Sequence, residues 1–271
     1  MDIKNTEMNK KALFFDIDGT ILSEKTGQIP ESAVRAIKAA RENGHLTFIN
    51  TGRTRACVPS KVQNVGFDGI LCGCGTEIVY HGESVMHQGL SKEFCVQIAE
   101  AVQKAGVASI LEGEVFYFAV PNRPAFQSLK NGGGLSEDGE MTLIFDWKPE
   151  DTFFDKFVFW TDEVSKEEII LDLIKDKMDL IVRGNGFFEV VPKGYTKAGA
   201  IRKVQEMFNI TLENTYVFGD SSNDLSMFEY SPNAIAMKEH DPVLDPYTSY
   251  VTDTVENDGI EKAMKALKLI L

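Results

Sequence analysis

The sequence predicts an α/β fold in which two distant stretches of chain build one parallel sheet around an inserted α+β unit. Three observations predict it. Short apolar runs end abruptly at polar or glycine residues, as buried strands do. Amphipathic segments separate these runs, leaving connections long enough for parallel pairing. Between residues 84 and 190 this alternation dissolves into strands mixed with helices, and after Pro192 it resumes.

The first run, Ala12-Leu-Phe-Phe, stops at Asp16-Ile-Asp-Gly-Thr20. Pro30, Glu31 and Ser32 then open an amphipathic helix with Ala33, Ile37 and Ala40 on one face, closing near Asn43-Gly44. A second strand is expected at 45–50, ending in Thr51-Gly-Arg53, then a helical stretch at 54–64 and a third strand at 69–74. In the insert, helices are expected at 93–104 and 166–175, strands at 114–120, 153–160 and 187–191, and a loop at Gly132-Gly-Gly134. The returning stretch predicts helices at 198–208, 224–230 and 259–269 and strands at 215–219, 233–237 and 250–254. The expected domains are therefore a core of 1–83 plus 191–271 and an insert of 84–190, with no internal repeat.

At 43% hydrophobic and 25% charged residues, the chain has the make-up of an ordinary globular protein rather than a disordered or fibrous one. No apolar run approaches the ~20 residues of a membrane span. Residues 1–11 are polar and mixed in charge, so no secretory signal is expected. Four cysteines in a chain of this size make no disulfide scaffold and point to a reducing, cytoplasmic setting. A net charge of −13 repels nucleic acid and anionic membrane surfaces, and no Lys/Arg cluster offsets it. Plain solubility explains that acidity as well as carboxylates gathered around a divalent cation; the order of the residues separates the two.

Asp16 and Asp18 follow a buried strand, Thr51 follows another, and Asp220 follows Tyr216-Val-Phe-Gly219 with Asn223 and Asp224 just behind it. In an open α/β sheet, ligands bind in the crevice beyond the carboxyl ends of the strands. Each acid taken alone is as well explained by an Asx turn or a helix cap. Together they repel one another unless a cation or shared protons hold them, and hard oxygen ligands suit Mg²⁺.

These segments resemble the haloacid dehalogenase superfamily, specifically its Cof-type phosphatases. The resemblance rests on Asp16-Ile-Asp-Gly-Thr20, Asn50-Thr-Gly-Arg53, Lys197 within Gly194-Tyr-Thr-Lys-Ala-Gly199, and Gly219-Asp-Ser-Ser-Asn-Asp-Leu-Ser-Met227, in that order along the whole chain. Tyr250-Val-Thr-Asp-Thr254 and Asp258-Gly259 are similar to that family's carboxyl end. One departure stands out: Cys74-Gly75 occupies the place of the family's usual Asn-Gly pair.

The resemblance implies a Rossmann-like core with a specificity-determining cap and a phosphoric monoester hydrolase acting on a small phosphorylated metabolite, a sugar or cofactor phosphate. It implies that Asp16 is the nucleophile, forming an aspartyl phosphate, and that Asp18 is the general acid and base. Mg²⁺ is implied at Asp16, the Asp18 main-chain carbonyl and Asp220, supported by Asp224. Thr51, Gly52, Lys197 and Asn223 are implied at the phosphate, with Arg53 and Arg183 as possible substrate contacts and Glu112 and Glu114 as further cap residues. Lys193 is as basic as Lys197, but Thr196 can cap a helix beginning at Lys197, where a cation opposes the helix dipole and must serve another purpose. A phosphomutase sharing the same intermediate, and a non-catalytic sensor of phosphorylated metabolites, are the competing readings.

Other signals carry less. Cys72-x-Cys74 would share a strand face, yet no second pair of soft ligands completes a zinc site near His81 and His87. Gly73-x-Gly75 lacks the third glycine of a dinucleotide fingerprint, and no Gly-x-x-x-x-Gly-Lys loop occurs. The aromatic residues from Phe153 to Trp160 are expected on the apolar face of an inserted sheet.

Overall fold

The computed structural model describes residues 10–129 and 142–271, so the loop expected at Gly132 lies outside the described residues. In chain order the strands and helices begin with β1 (Ala12–Phe15), α1 (Glu31–Glu42), β2 (Leu46–Asn50), the single turn α2 (Ser60–Gln63), β3 (Gly69–Cys72), β4 (Glu77–Tyr80) and β5 (Glu83–His87). There follow α3 (Lys92–Ala105), β6 (Ala108–Glu112), β7 (Phe116–Ala119), β8 (Leu143–Ile144), β9 (Lys156–Trp160), α4 (Glu168–Ile174), β10 (Met178–Gly184) and β11 (Phe187–Pro192). The chain closes with α5 (Lys197–Phe208), β12 (Thr215–Gly219), α6 (Leu225–Tyr230), β13 (Asn233–Ala236), β14 (Tyr250–Val251) and α7 (Gly259–Ala266).

The chain divides into two compact units, the first comprising Met1–Gly52, Pro59–Met86 and Thr196–Leu271, the second Arg53–Val58 and His87–Tyr195. These divisions fall at 86/87 and 195/196, a few residues beyond the expected 83/84 and 190/191, and the short 53–58 segment groups with the second unit.

The first unit holds a sheet of order β14-β13-β12-β1-β2-β3-β4-β5. Pairing is parallel from β14 to β3 and antiparallel between β3 and β4. β1 and β2 are buried at every position, which is why they read as unbroken apolar runs rather than alternating ones. Phe14 and Phe48 stack within a cluster completed by Ala200, Ile201 and Val204 of α5 and by Met227 and Phe228 of α6. α1 buries the predicted Ala33, Ile37 and Ala40, and Ser32 and Ala36 with them.

The second unit holds a sheet of order β10-β11-β9-β6-β7-β8, antiparallel except for the β7–β8 pair. One face is apolar and covered by α3 and α4: Leu111, Tyr117, Phe157, Phe159 and Val190 pack with Phe94, Ile98, Val102, Ile170 and Ile174. Its strands obey a period of two, so the opposite parity of β6, β9 and β11 places Glu112, Lys156 and Glu189 on the other face.

Several elements differ from expectation. The helix expected at 54–64 is a 3₁₀ turn, Arg55–Cys57, and the lone turn α2, because Pro59 holds Val58 extended and ends any helix before it. β3 stops at Cys72; Cys74 sits in a left-handed conformation, φ 56°, inside the following turn, so the two thiols do not share a strand face. β4, β5, β6, β8 and β10 were not expected from the sequence. Among the described residues no helix is long and apolar enough to cross a membrane.

Candidate active site

Three strand ends deliver the site. Phe15 lies opposite Ile49 on one side and Phe218 on the other, so Asp16, the Asn50-Thr51 pair and the Gly219-Asp220 pair leave the sheet at one edge. From β1 the chain moves to β2 and β3 in one direction and much later fills β12 to β14 in the other. That reversal opens a crevice at the strands' carboxyl ends.

Asp16 is buried, its backbone N–H donating to the Phe218 carbonyl at 3.0 Å. The loop then turns tightly: Gly19 donates to the Leu22 carbonyl at 3.0 Å and lies at φ +73°, where a side chain would run into the Asp220 carboxylate. Glycine is therefore required at 19 twice over, by backbone and by space. Asp18 is half-buried in this loop and pairs through its backbone with Leu22. The Thr20 hydroxyl donates to Asp220 Oδ1 at 2.7 Å.

Lys197 opens α5, where Thr196 caps the helix by accepting from the Gly199 N–H at 3.0 Å. Its side chain is 1% exposed, and its Nζ donates to Asp16 Oδ1 and Asp224 Oδ1, each at 2.6 Å, and to Asn223 Oδ1 at 3.2 Å. Two charge-assisted bonds make that burial tolerable. Lys193, by contrast, is exposed. Asp224 divides its labour: Oδ1 takes the ammonium, while Oδ2 accepts from the Asp220 and Ser221 N–H groups at 2.9 and 3.1 Å in a capping box. Both its oxygens being engaged, Asp224 buttresses the site.

One oxygen each from Asp16, Asp220 and Asp224 lies within 4.8 Å of the others. Burial pushes the Asp16 carboxyl up to about 7, with Lys197 pulling down and Asp224 pushing up. Burial likewise pushes Asp220 up to about 8, the Thr20 hydroxyl opposing and the Asp224 and Asp16 charges reinforcing. For Lys197, burial works to lower the pKa, but the two carboxylates outweigh it and hold the ammonium above its ordinary value. When all three carboxylates are ionised, the single ammonium leaves two negative charges uncompensated, which is why protons are held there without a cation. An all-oxygen cluster with that excess has the donor chemistry and the charge a hard divalent cation requires.

The structure thus brings together Asp16, Asp220, Asp224, Lys197 and Asn223. Thr51, also buried, bonds through its N–H to the Leu71 carbonyl at 2.9 Å, and its carbonyl accepts from Cys74 at 3.0 Å; Gly52 follows it at the end of the same stretch of the first unit. Arg53 belongs to the second unit, where its Nη1 donates to the Cys57 carbonyl at 3.0 Å. Arg183 stands on β10. Glu114 is exposed, whereas Glu112 is buried and ion-paired with Lys156 at 3.6 Å. Three polar residues of the site escaped the sequence reading. Thr20 and Asn50 sit inside quoted motifs without a role of their own, while Ser221 was visible as the start of a Ser-x-x-Asp capping box.

Residues 13–264 match the family model of haloacid dehalogenase-like hydrolases. The chain is 29% identical over 266 residues to the putative phosphatase YkrA of Bacillus subtilis, a match covering 97% of this chain and 100% of that one. It is also 29% identical over 263 residues to a putative bifunctional phosphatase/peptidyl-prolyl cis-trans isomerase of Streptococcus pyogenes, 96% of this chain but 54% of the relative, whose length it half spans. Among solved structures, the HAD subclass IIB sugar phosphatase BT4131 superposes with a TM-score of 0.77 at 28% identity, covering 96% of this chain and 100% of that one.

Proposed function

The chain belongs to the haloacid dehalogenase-like hydrolase family, and on that premise we propose that it is a Mg²⁺-dependent phosphatase of small phosphorylated metabolites, working through an aspartyl phosphate on Asp16. The observation that carries this reading is Asp16 itself: a buried strand-end carboxylate held by Lys197 inside a cluster of three carboxylates.

Asp16 attacks phosphorus in line as the bond from phosphorus to the substrate's alcohol oxygen breaks. Asp18, two residues on and half-buried, gives its proton to the departing alkoxide. It then takes a proton from the water that attacks the aspartyl phosphate, freeing inorganic phosphate and restoring Asp16. Lys197, bridging Asp16 and Asp224, fixes the nucleophile and offers its ammonium to the phosphoryl oxygens, with Thr51, Gly52 and Asn223 as further phosphate contacts. Asp16, the Asp18 carbonyl and Asp220 would hold Mg²⁺, which when bound neutralises charge on the transferring group. Asp224 and Thr20 would keep those ligands in place.

A sugar phosphate is the leading substrate class and a cofactor phosphate the second, supported by the sugar phosphatase among the similar structures. We assign substrate choice to the second unit, Arg53 and Arg183 being its candidate contacts. Four buried cysteine thiols support a reducing, cytoplasmic setting.

The deciding experiment is hydrolysis of p-nitrophenyl phosphate and a panel of metabolite phosphates with Mg²⁺. Phosphate release by the wild-type chain, abolished in Asp16→Asn, is expected. Turnover unchanged in Asp16→Asn removes the nucleophile; isomerised sugar phosphate without free phosphate indicates a mutase; thermal stabilisation by a ligand without turnover indicates a sensor.

A further inference from the structure

We infer that Asn50, a residue to which the phosphatase reading gives no role, is the positioning residue for Lys197. Asn50 is the last residue of β2 and is completely buried. Its Nδ2 donates to the main-chain carbonyl of Lys197 at 3.1 Å, across 147 residues of sequence. The same nitrogen lies 3.6 Å from Met227 Sδ. One amide therefore reaches both α5, which begins with Lys197, and α6, which begins immediately after Asp224. The first of these helices carries the ammonium, and the second follows directly on one of its two carboxylate partners.

The orientation of the amide is fixed by chemistry. Turning it over would set Oδ1 against the Lys197 carbonyl, two acceptors facing one another. As placed, Oδ1 accepts no hydrogen bond among the described residues. A buried acceptor left unmatched is unfavourable, and a leucine of similar size would avoid it. The side chain is therefore retained for its donor half, and what that donor holds is the first residue of α5. A helix's early carbonyls already serve its own ladder, so the added bond acts as a tether on the helix end.

The tether also links two parts of the proposed site. Thr51, the next residue after Asn50, is a proposed phosphate contact, and Lys197 is another. Through Asn50 the end of β2 and the start of α5 are held at one spacing, so the hydroxyl and the ammonium meet a single phosphoryl group together. The ammonium's own bonds to Asp16 and Asp224 fix its tip; Asn50 fixes the base of its stem. This role rests on the reading of Lys197 as the cation of phosphoryl transfer.

The test compares Asn50→Leu with Gln205→Leu. Gln205 is buried in the same helix, donates to Thr215 Oγ1 at 2.6 Å, and lies eight residues, roughly 12 Å of helix rise, beyond Lys197. Loss of Asn50 should lower kcat about 10- to 100-fold with KM moving less than about threefold, because a displaced Lys197 harms the transition state more than the bound ester. Binding of orthovanadate with Mg²⁺, followed by calorimetry, should weaken by a similar factor. Gln205→Leu should lower Tm comparably and leave both readouts near wild type. If leucine prevents folding, Asn50→Asp keeps the shape and removes the donor, with the same expectation. Asn50 variants that keep wild-type kcat and vanadate affinity, or a Gln205→Leu that loses as much, overturn the inference. A wild-type chain that neither releases phosphate nor binds vanadate overturns the phosphatase reading itself.

Discussion

Each unit buries one lysine between two carboxylates, and the two arrangements differ in a way that separates chemistry from architecture. In the first unit, Lys197 lies between Asp16 and Asp224, and Asp220 adds a third carboxylate. In the second, Lys156 lies 2.6 Å from Glu189 and 3.6 Å from Glu112, on neighbouring strands β9, β11 and β6. Burial raises the Glu112 pKa, Glu189 adds to it, and Lys156 and Arg53 oppose. Lys156 and Arg53 both oppose charge on Glu112 there, whereas the strand-end cluster, when fully ionised, sets three carboxylates against one ammonium. A carboxylate cluster with that imbalance calls for a cation. Surplus carboxylate, not the burial of a lysine, is what sets the candidate site apart.

The sharpest way to break this comparison is to remove each ammonium in turn. Lys197→Met should leave a folded protein, since the carboxylates there accept protons or a cation, but lower kcat about 10³-fold, about 4 kcal/mol of transition-state stabilisation. Lys156→Met should do the reverse. It strands two buried carboxylates and should reduce stability by about 3 kcal/mol in chemical denaturation, with kcat of the folded fraction little changed. If Lys156→Met instead keeps its stability and raises KM for a sugar phosphate, the second lysine is a substrate contact and the contrast fails.

The cation term gives a second test, through pH. Asp16 and Asp220 are pushed up to about 7 and about 8 in the metal-free protein, well above an unfolded aspartate. Between the unfolded value and these, the folded state binds more protons than the unfolded one, so its stability falls as pH rises. Metal-free Tm should accordingly decline from pH 6 to pH 8.5. Mg²⁺ competes with those protons and should stabilise more at the alkaline end, reaching about 2.7 kcal/mol at 100 times its Kd. Scanning calorimetry with and without Mg²⁺ reads both slopes; a Mg²⁺ effect that grows toward acid pH would sink the assignment. The Lys156 cluster should show no Mg²⁺ dependence at all.

How much of this was legible beforehand follows the range of the interactions. Asp16, Asp220 and Thr51 were readable because a strand that stops dead at a polar residue is a local signal, and parallel pairing carries such residues to one edge. Lys197 was chosen over Lys193 on equally local grounds, the Thr196 cap. What escaped depends on chain segments far apart. Asn50 meets Lys197, and Thr20 meets Asp220 from 200 residues away. β10 was missed because its exposed face, Leu180, Val182 and Gly184, is apolar rather than polar, so Met178-Asp-Leu-Ile-Val-Arg-Gly shows no polar/apolar alternation. The helix expected at 54–64 is broken because Pro59 holds Val58 extended, an effect of one residue on the one before it.

The smallest expected effect concerns the turn after β3, where the departure at Cys74 falls on a conformationally special position. Cys74 replaces the asparagine usual in resembling phosphatases, and its backbone is left-handed, φ 56° and ψ 28°. That region disfavours most side chains by about 1–2 kcal/mol, and asparagine tolerates it because its amide bonds locally. Cys74→Asn should therefore stabilise the protein by about 1 kcal/mol, raising Tm by about 2–4 °C. The same change at Cys72, in an extended strand end and 1% exposed, should destabilise by burying an amide without a partner. Opposite signs for two cysteines two residues apart would locate the effect in the backbone rather than in the thiol. The turn also holds the Thr51 carbonyl through the Cys74 N–H, so kcat measured beside Tm shows whether relaxing it reaches the proposed phosphate contact at Thr51. A Cys74→Asn chain with unchanged Tm would mean that the thiol's own packing offsets the strain, and that nothing in the charge imbalance of the first unit extends to this turn.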